Sequence, residues 1–275
     1  MSLLSDYWKT KKFDNKVNTV CMDNHDYHIL KTKNLLVEKD DWKKHNAKFS
    51  VDLPAEPFVG DLNAGIYIIT LNPKTSEGEH TNWANSTLEK LHDDCLKQQK
   101  NEYPFYYLNP AISNTGGAHY WKDQKFNGLI RALSEHCGSE DIAIKKIAQN
   151  VCDLELCPYH SRKWDPDNFK KHGLDNLNVV KIMKDFVCNV VVPGVISGDK
   201  TLLVGRGREL FKSEKFNYNG NIIRYDDLES QFPDRVIFYT PEQCQTMSFT
   251  PYGYTQSGGG GTKGGQLLLE TLKKL

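Results

Sequence analysis

The sequence predicts an α/β fold, a three-layer arrangement in which helices flank a central four-stranded parallel sheet. Short apolar, β-branched runs recur along the chain, and the segments between them carry helical spacing. Strands separated by helices pair in parallel through right-handed crossovers.

The first strand is GIYIITL (Gly65 to Leu71), stopped by Asn72-Pro73. Trp83 to Gln99 then reads as a helix, with Leu88, Leu91 and Cys95 on one face. Phe126 to His136 is a second, ended by Gly138. Val151 to Leu156 is the second strand, closed by Pro158. Leu177 to Val191 starts with helical spacing and becomes apolar throughout, so its end is ambiguous. Thr201 to Val204 and Arg235 to Tyr239 are the third and fourth strands, and a helix runs from Gln266 to Leu275. Residues 1–52 form an extension packed on a core domain of residues 53–275. Its first 50 residues are polar, with Lys9, Lys11, Lys12, Lys43 and Lys44 available to touch phosphate.

Composition narrows the function class. Hydrophobic residues at 39% and charged residues at 25% are ordinary for a globular protein. The longest apolar run, Val187 to Ile196, is broken by Asn189 and Pro193 and cannot span a bilayer. The N-terminus lacks the apolar stretch of a signal peptide, so a cytoplasmic monomer without a membrane partner is expected. The 7 cysteines have no paired C-x-x-C spacing, which argues for reduced thiols and against zinc. Net charge is zero, which weighs against bulk attraction to nucleic acid but leaves room for a local basic face. No G-x-S-x-G nucleophile elbow occurs, and Lys263 is followed by Gly264, which rules out a phosphate-binding P-loop.

Ligands on parallel sheets gather at the carboxyl ends of the strands. The unusual residues lie there: Asn72-Pro73, Pro158-Tyr159-His160-Ser161, Gly205 to Arg208, and Thr240-Pro241. In order and spacing, PFVGDLNAGIYIITLNP, YPFYYLNP, LCPYHSR and LLVGRGREL resemble the motifs of the uracil-DNA glycosylase superfamily over residues 53–275.

The resemblance implies an enzyme without metal or organic cofactor that flips a base out of double-stranded DNA and hydrolyses its glycosidic bond. It implies that Asn72 positions the attacking water, flanked by Leu71, Pro73 and Lys74 against the base. Phe105 would stack on the extruded base, with Tyr106 and Tyr159 completing the pocket. Two features depart from the family. Lys74 stands where classical uracil enzymes carry the tyrosine that excludes thymine. No histidine occurs between Val236 and Gln256, so His160, Gln243 or a backbone amide must supply the donor to the leaving base. Ser161, Arg206, Arg208 and Lys263 are candidate DNA contacts. Met247, Phe249 and Tyr252, in the loop from Thr240 to Gly265, are candidate wedges for the gap left by flipping.

Polar-tipped residues near these loops, namely Tyr106, Asn109, Asn114, His119, Tyr120, Trp121, Tyr159 and His160, suit a sugar as well as a base. Superfamily members defend bacteria by excising glucosylated hydroxymethylcytosine from phage DNA, and the chain resembles these more than a housekeeping enzyme. Uracil or mismatched-thymine repair, and a catalytically silent nucleic-acid sensor, stand as alternatives.

Overall fold

A computed structural model describes residues 3–10, 22–37, 47–74, 82–163, 171–240, 243, 247–254 and 261–275. Lys11, Lys12, Cys21, Lys43, Lys44, Pro241 and Cys244 lie outside them. The strands are β1 (Leu36–Val37), β2 (Phe49–Ser50), β3 (Phe58–Val59), β4 (Ile66–Thr70), β5 (Val151–Glu155), β6 (Thr201–Val204), β7 (Lys215–Tyr218), β8 (Asn221–Arg224) and β9 (Val236–Phe238). The principal helices are α1 (Leu3–Thr10), α2 (Asn24–Thr32), α3 (Ser86–Leu96), α4 (Asn127–Cys137), α5 (Glu140–Asn150), α6 (Asn178–Phe186), α7 (Val192–Ser197) and α8 (Lys263–Lys274). None of these is long and apolar enough to cross a membrane.

The central sheet has 5 strands in the order β3-β5-β4-β6-β9 and is mixed. This corrects the expectation of four parallel strands. β5, β4, β6 and β9 run parallel, while β3 pairs antiparallel with β5, Phe58 opposite Leu154. A two-residue strand has too few positions to show a period, which hid β3 from sequence reading. β4 is buried along its whole length, as a strand covered on both faces must be, and so reads IYIIT without alternation.

The chain steps from β4 to β5 in one direction and then crosses back past β4 to β6. Right-handed crossovers moving in opposite directions set their helices on opposite faces. α4, α5 and α8 pack on one another, and α1 and α2 pack on α6. The ambiguous stretch after Leu177 is helical: α6 runs through a π-helical turn (Val187–Val191) into α7, and Gly198, at φ 98°, ends it. Strands β7 and β8 form a hairpin around Asn219-Gly220, whose φ values of 51° and 80° are those of a type I′ turn.

The N-terminal extension shares the main core through Leu4, Trp8, Leu30 and Phe49. Its strongest tie is Asp26, which is wholly buried and accepts hydrogen bonds from Tyr159 Oη (2.8 Å), Asn178 N (2.7 Å) and Val179 N (3.3 Å). The last two are free amides of the first turn of α6, so a side chain distant in sequence caps that helix. Asp26→Ala leaves both amides enclosed without acceptors and should cost roughly 2–4 kcal/mol. A lowered urea midpoint with an unchanged m-value checks this; an unchanged midpoint refutes the capping role.

Candidate functional site

The direction of chain travel reverses at β4, so the crevice of this sheet opens between the carboxyl ends of β4 and β6. Asn72 follows β4 there, and Gly205-Arg206 follow β6. The amides of Gly205 and Arg206 both donate to Ile69 O, at 2.9 and 3.3 Å, holding the two strand ends together.

Pairing between β4 and β5 continues past both strands. Leu156 N donates to Thr70 O (3.2 Å), Cys157 N to Leu71 O (2.8 Å) and Ser161 N to Pro73 O (3.2 Å). Within this zipper the Asn72 amide is locked. Its Nδ2 donates to Ser161 Oγ (2.8 Å), Tyr159 O (3.1 Å) and Pro73 O (3.2 Å). Three acceptors around one nitrogen fix which end of the amide is which. Among the described residues nothing donates to Asn72 Oδ1, and the side chain is half-buried rather than sealed. The outcome is an oriented acceptor at the crevice, able to take a proton of a water but not to remove one as a strong base.

Beside it lie acids that sequence reading passed over. Ile68 pairs with Asp153 and Thr70 with Glu155, so Thr70, Asp153 and Glu155 share one face of the sheet. Thr70 Oγ1 approaches both Asp153 oxygens, at 3.0 and 3.2 Å. Glu155 is 8% exposed, and its Oε2 is enclosed with no partner. Burial raises both carboxyls well above their ordinary values, and for Glu155 the neighbouring Asp153 raises it further. Arg206 and Tyr120 lie close enough to act on Glu155 and on each other through charge. Tyr120 sits on a π-helical turn (His119–Lys125) and is 37% exposed. The Lys125 ammonium lies 4.7 Å from the centre of the Tyr120 ring. Burial, then the charge of Arg206, lowers Lys125 to about 8. A π-helical turn is a frequent mark of a functional position.

A second cluster surrounds Glu56, which is buried and accepts from Tyr106 Oη and Tyr107 Oη, each at 2.6 Å. Burial alone would raise this carboxyl. His160, then His92, and the Tyr106 hydroxyl more than reverse that and hold it below its ordinary value. His160 Nε2 lies 3.1 Å from Glu56 Oε2, near enough for charge to act but without the alignment of a hydrogen bond, and His160 Nδ1 has no partner.

Several expected roles are corrected by these positions. Phe105 is 0% exposed and packs edge-on to Trp121 and Phe126, so it presents no open face to a base. Tyr106 is committed to Glu56, and Tyr159 to Asp26 and Phe49. His160, 1% exposed, faces the Glu56 cluster rather than the crevice. Arg208 donates to Asp226 Oδ1 (2.7 Å) and stacks on Phe238, a structural engagement. Gln243 and Thr240 exchange the reciprocal bonds of a capping box, Oε1 accepting from Thr240 N at 2.9 Å. Phe249 is core, stacked on Phe126, and Met247 packs over Gly205; Tyr252 is the exposed aromatic of that loop.

The remaining candidates stand at the rim or behind it. Leu71 is half-buried, Pro73 is buried, Ser161 anchors Asn72, and Lys74 and Lys263 are exposed. Of the polar segment expected to hold a sugar, Trp121 is buried. Asn114, His119 and Tyr120 are exposed, and Asn109 is half-buried and caps Ala111 N. Asp153 and Glu155 could have been found in the sequence as two acids alternating in an otherwise apolar strand, VCDLE, and so sharing one face.

Because Glu56 is held below its ordinary range, its contribution to stability is present above a pH of about 4 and is lost as pH falls through its folded value. The stability gap between wild type and Glu56→Gln should therefore be largest near neutrality and shrink on acidification. Urea titrations across that range check it; a gap that grows below pH of about 4 contradicts the ionised state.

No protein-family model matches the chain, and neither a curated protein nor a solved structure matches it.

Proposed function

We propose that the chain is a monofunctional DNA glycosylase that extrudes a modified pyrimidine from duplex DNA and hydrolyses its N-glycosidic bond, leaving an abasic site. The observation that carries the reading is the locked Asn72 amide at the carboxyl end of β4, with nothing among the described residues donating to its Oδ1. Glycosidic cleavage passes through an oxocarbenium-like state, with positive charge on the sugar and negative charge on the departing base. An acceptor held rigidly beneath the anomeric carbon orients a water without having to deprotonate it, because the cation is electrophile enough. An amide does this more slowly than a carboxylate, which suits a substrate met rarely.

The favoured substrate is glucosylated hydroxymethylcytosine of phage DNA, which makes the activity one of defence. Exposed Asn114, His119 and Tyr120, with Arg206 close enough to Tyr120 to act through charge, offer an aromatic face with hydrogen-bonding neighbours to a sugar substituent. Exposed Lys74 and Lys263, with half-buried Arg206, are candidate basic groups for phosphate.

A second reading, a nucleic-acid binder without activity, is favoured by the enclosure of Phe105 and His160. Duplexes carrying glucosylated hydroxymethylcytosine, hydroxymethylcytosine, cytosine, uracil or a mismatched thymine, treated with the protein and then with alkali, separate the readings. Breaks at the glucosylated base and not at cytosine are expected. Binding without breaks supports the silent binder, and breaks at uracil alone restore repair. Asn72→Ala should lower the single-turnover rate by about tenfold or more and leave duplex affinity unchanged, since the amide acts mainly in the transition state. Undiminished turnover removes Asn72 from the chemistry.

A further inference from the structure

Resting on the glycosylase reading, we infer that Glu155 is the acid of this site, handing its carboxyl proton to N3 of a cytosine-type base as the C1′–N1 bond breaks. The chain lacks the histidine that would steady a departing base anion after the fourth strand, and His160 is turned into the Glu56 cluster. The leaving group must be helped from elsewhere. Glu155 ends β5 beside Thr70, two residues before Asn72 on the neighbouring strand, and Arg206, in the turn after β6, lies close enough to act on it through charge.

Three features of Glu155 suit it to the task. Its Oε2 is enclosed and without a partner, and an unmatched buried polar atom is costly unless something else meets it. Its companion Asp153 has the Thr70 hydroxyl against both oxygens, so negative charge is better held at Asp153 and the proton at Glu155. The surroundings keep that proton in place. Burial acts first, then Asp153 on its own strand and Glu56 ahead of β3; Thr70 and Arg206, from β4 and the turn after β6, oppose them. Tyr120 completes the ring of facing groups.

A neutral carboxyl presents one donor and one acceptor side by side. Cytosine offers the complement, the N3 lone pair next to the N4 amino group. Uracil carries a hydrogen at N3 and has no lone pair there to protonate. As the glycosidic bond breaks, its electron pair passes to N1 and the proton passes from Glu155 to N3, so the base departs as a neutral tautomer of cytosine. The Asn72-held water adds to C1′ and releases a proton to solvent, and Glu155 recovers one from solvent. One water is consumed, and the acid is regenerated.

Glu155→Gln keeps a carbonyl acceptor and an N–H donor in the same place but holds no transferable proton. On duplex bearing glucosylated hydroxymethylcytosine it should lower kcat by about 100-fold with KM little changed. Glu155→Ala should raise KM as well. The wild-type rate should fall as pH rises through the raised carboxyl value, and this limb should be absent in Glu155→Gln. Cleavage of a matched uracil duplex should be the slower reaction. A Glu155→Gln enzyme with wild-type kcat, or a wild-type rate that does not fall with rising pH, overturns the assignment; the second measurement needs no variant. If wild type cleaves and Glu155→Gln matches it, Glu155 alone is wrong. If wild type cleaves no base of the panel, the glycosylase reading fails and this assignment falls with it.

Discussion

The structure depends on one pairing, that of β4 with β5, and on its continuation beyond the strands. Five registered residue pairs set the two strands side by side in the centre of the sheet. Three further backbone bonds then zip the segment after β4 to the segment after β5. Loops normally leave a sheet at once and lose their orientation to solvent. Here the loops stay paired for several residues, and a side chain such as Asn72 is held as firmly as one within a strand. The same pairing sets Thr70 against Asp153 and Glu155 beside Thr70. Acceptor and acid are thus positioned by backbone hydrogen bonds, the least adjustable bonds in the molecule.

The buried acids separate into two kinds, and the donors around them decide which is which. Glu56 lies in a nest of two tyrosine hydroxyls and an imidazole, and is stabilised as an anion despite complete enclosure. Asp153 and Glu155 share one hydroxyl between them and lie next to each other. Two carboxyls in that position cannot both ionise at a tolerable cost. A proton is therefore retained at the end of β5, within reach of the crevice. The contrast arises between the same residue types, from the donors around each.

The N-terminal extension acts on this region from outside. Asp26 takes the Tyr159 hydroxyl and caps α6, while Ser50 N donates to His160 O at 2.8 Å. The loop from Cys157 to Ser161 is thereby clamped between the extension and the segment after β4. Tyr159 and His160 are used up in that clamp. Motif order points to both as pocket residues, but the extension engages the Tyr159 side chain through Asp26, and Glu56 faces that of His160.

The sequence by itself determined the four longer strands of the sheet, the helices from Asn127 and Lys263, and the identity of Asn72 as the polar residue closing the first strand. These rest on local patterns, an apolar β-branched run or a 3.6-residue period, which a linear reading can detect. The Asn219-Gly220 hairpin is legible on the same ground, since that dipeptide favours a type I′ turn. β3 was not legible, because two residues carry no period. The candidate site was decided by tertiary structure. Which ring of Phe105-Tyr106-Tyr107 faces a cavity depends on what packs against each, and all three turn inward. The face shared by Thr70 and Glu155 depends on a register between strand residues that lie 85 positions apart in the chain (155 − 70). The raised carboxyl of Glu155 depends on burial and on Asp153 beside it, against the opposing pull of Thr70 and Arg206. Charge and direction are set by neighbours distant in sequence, and only the folded chain brings those neighbours together.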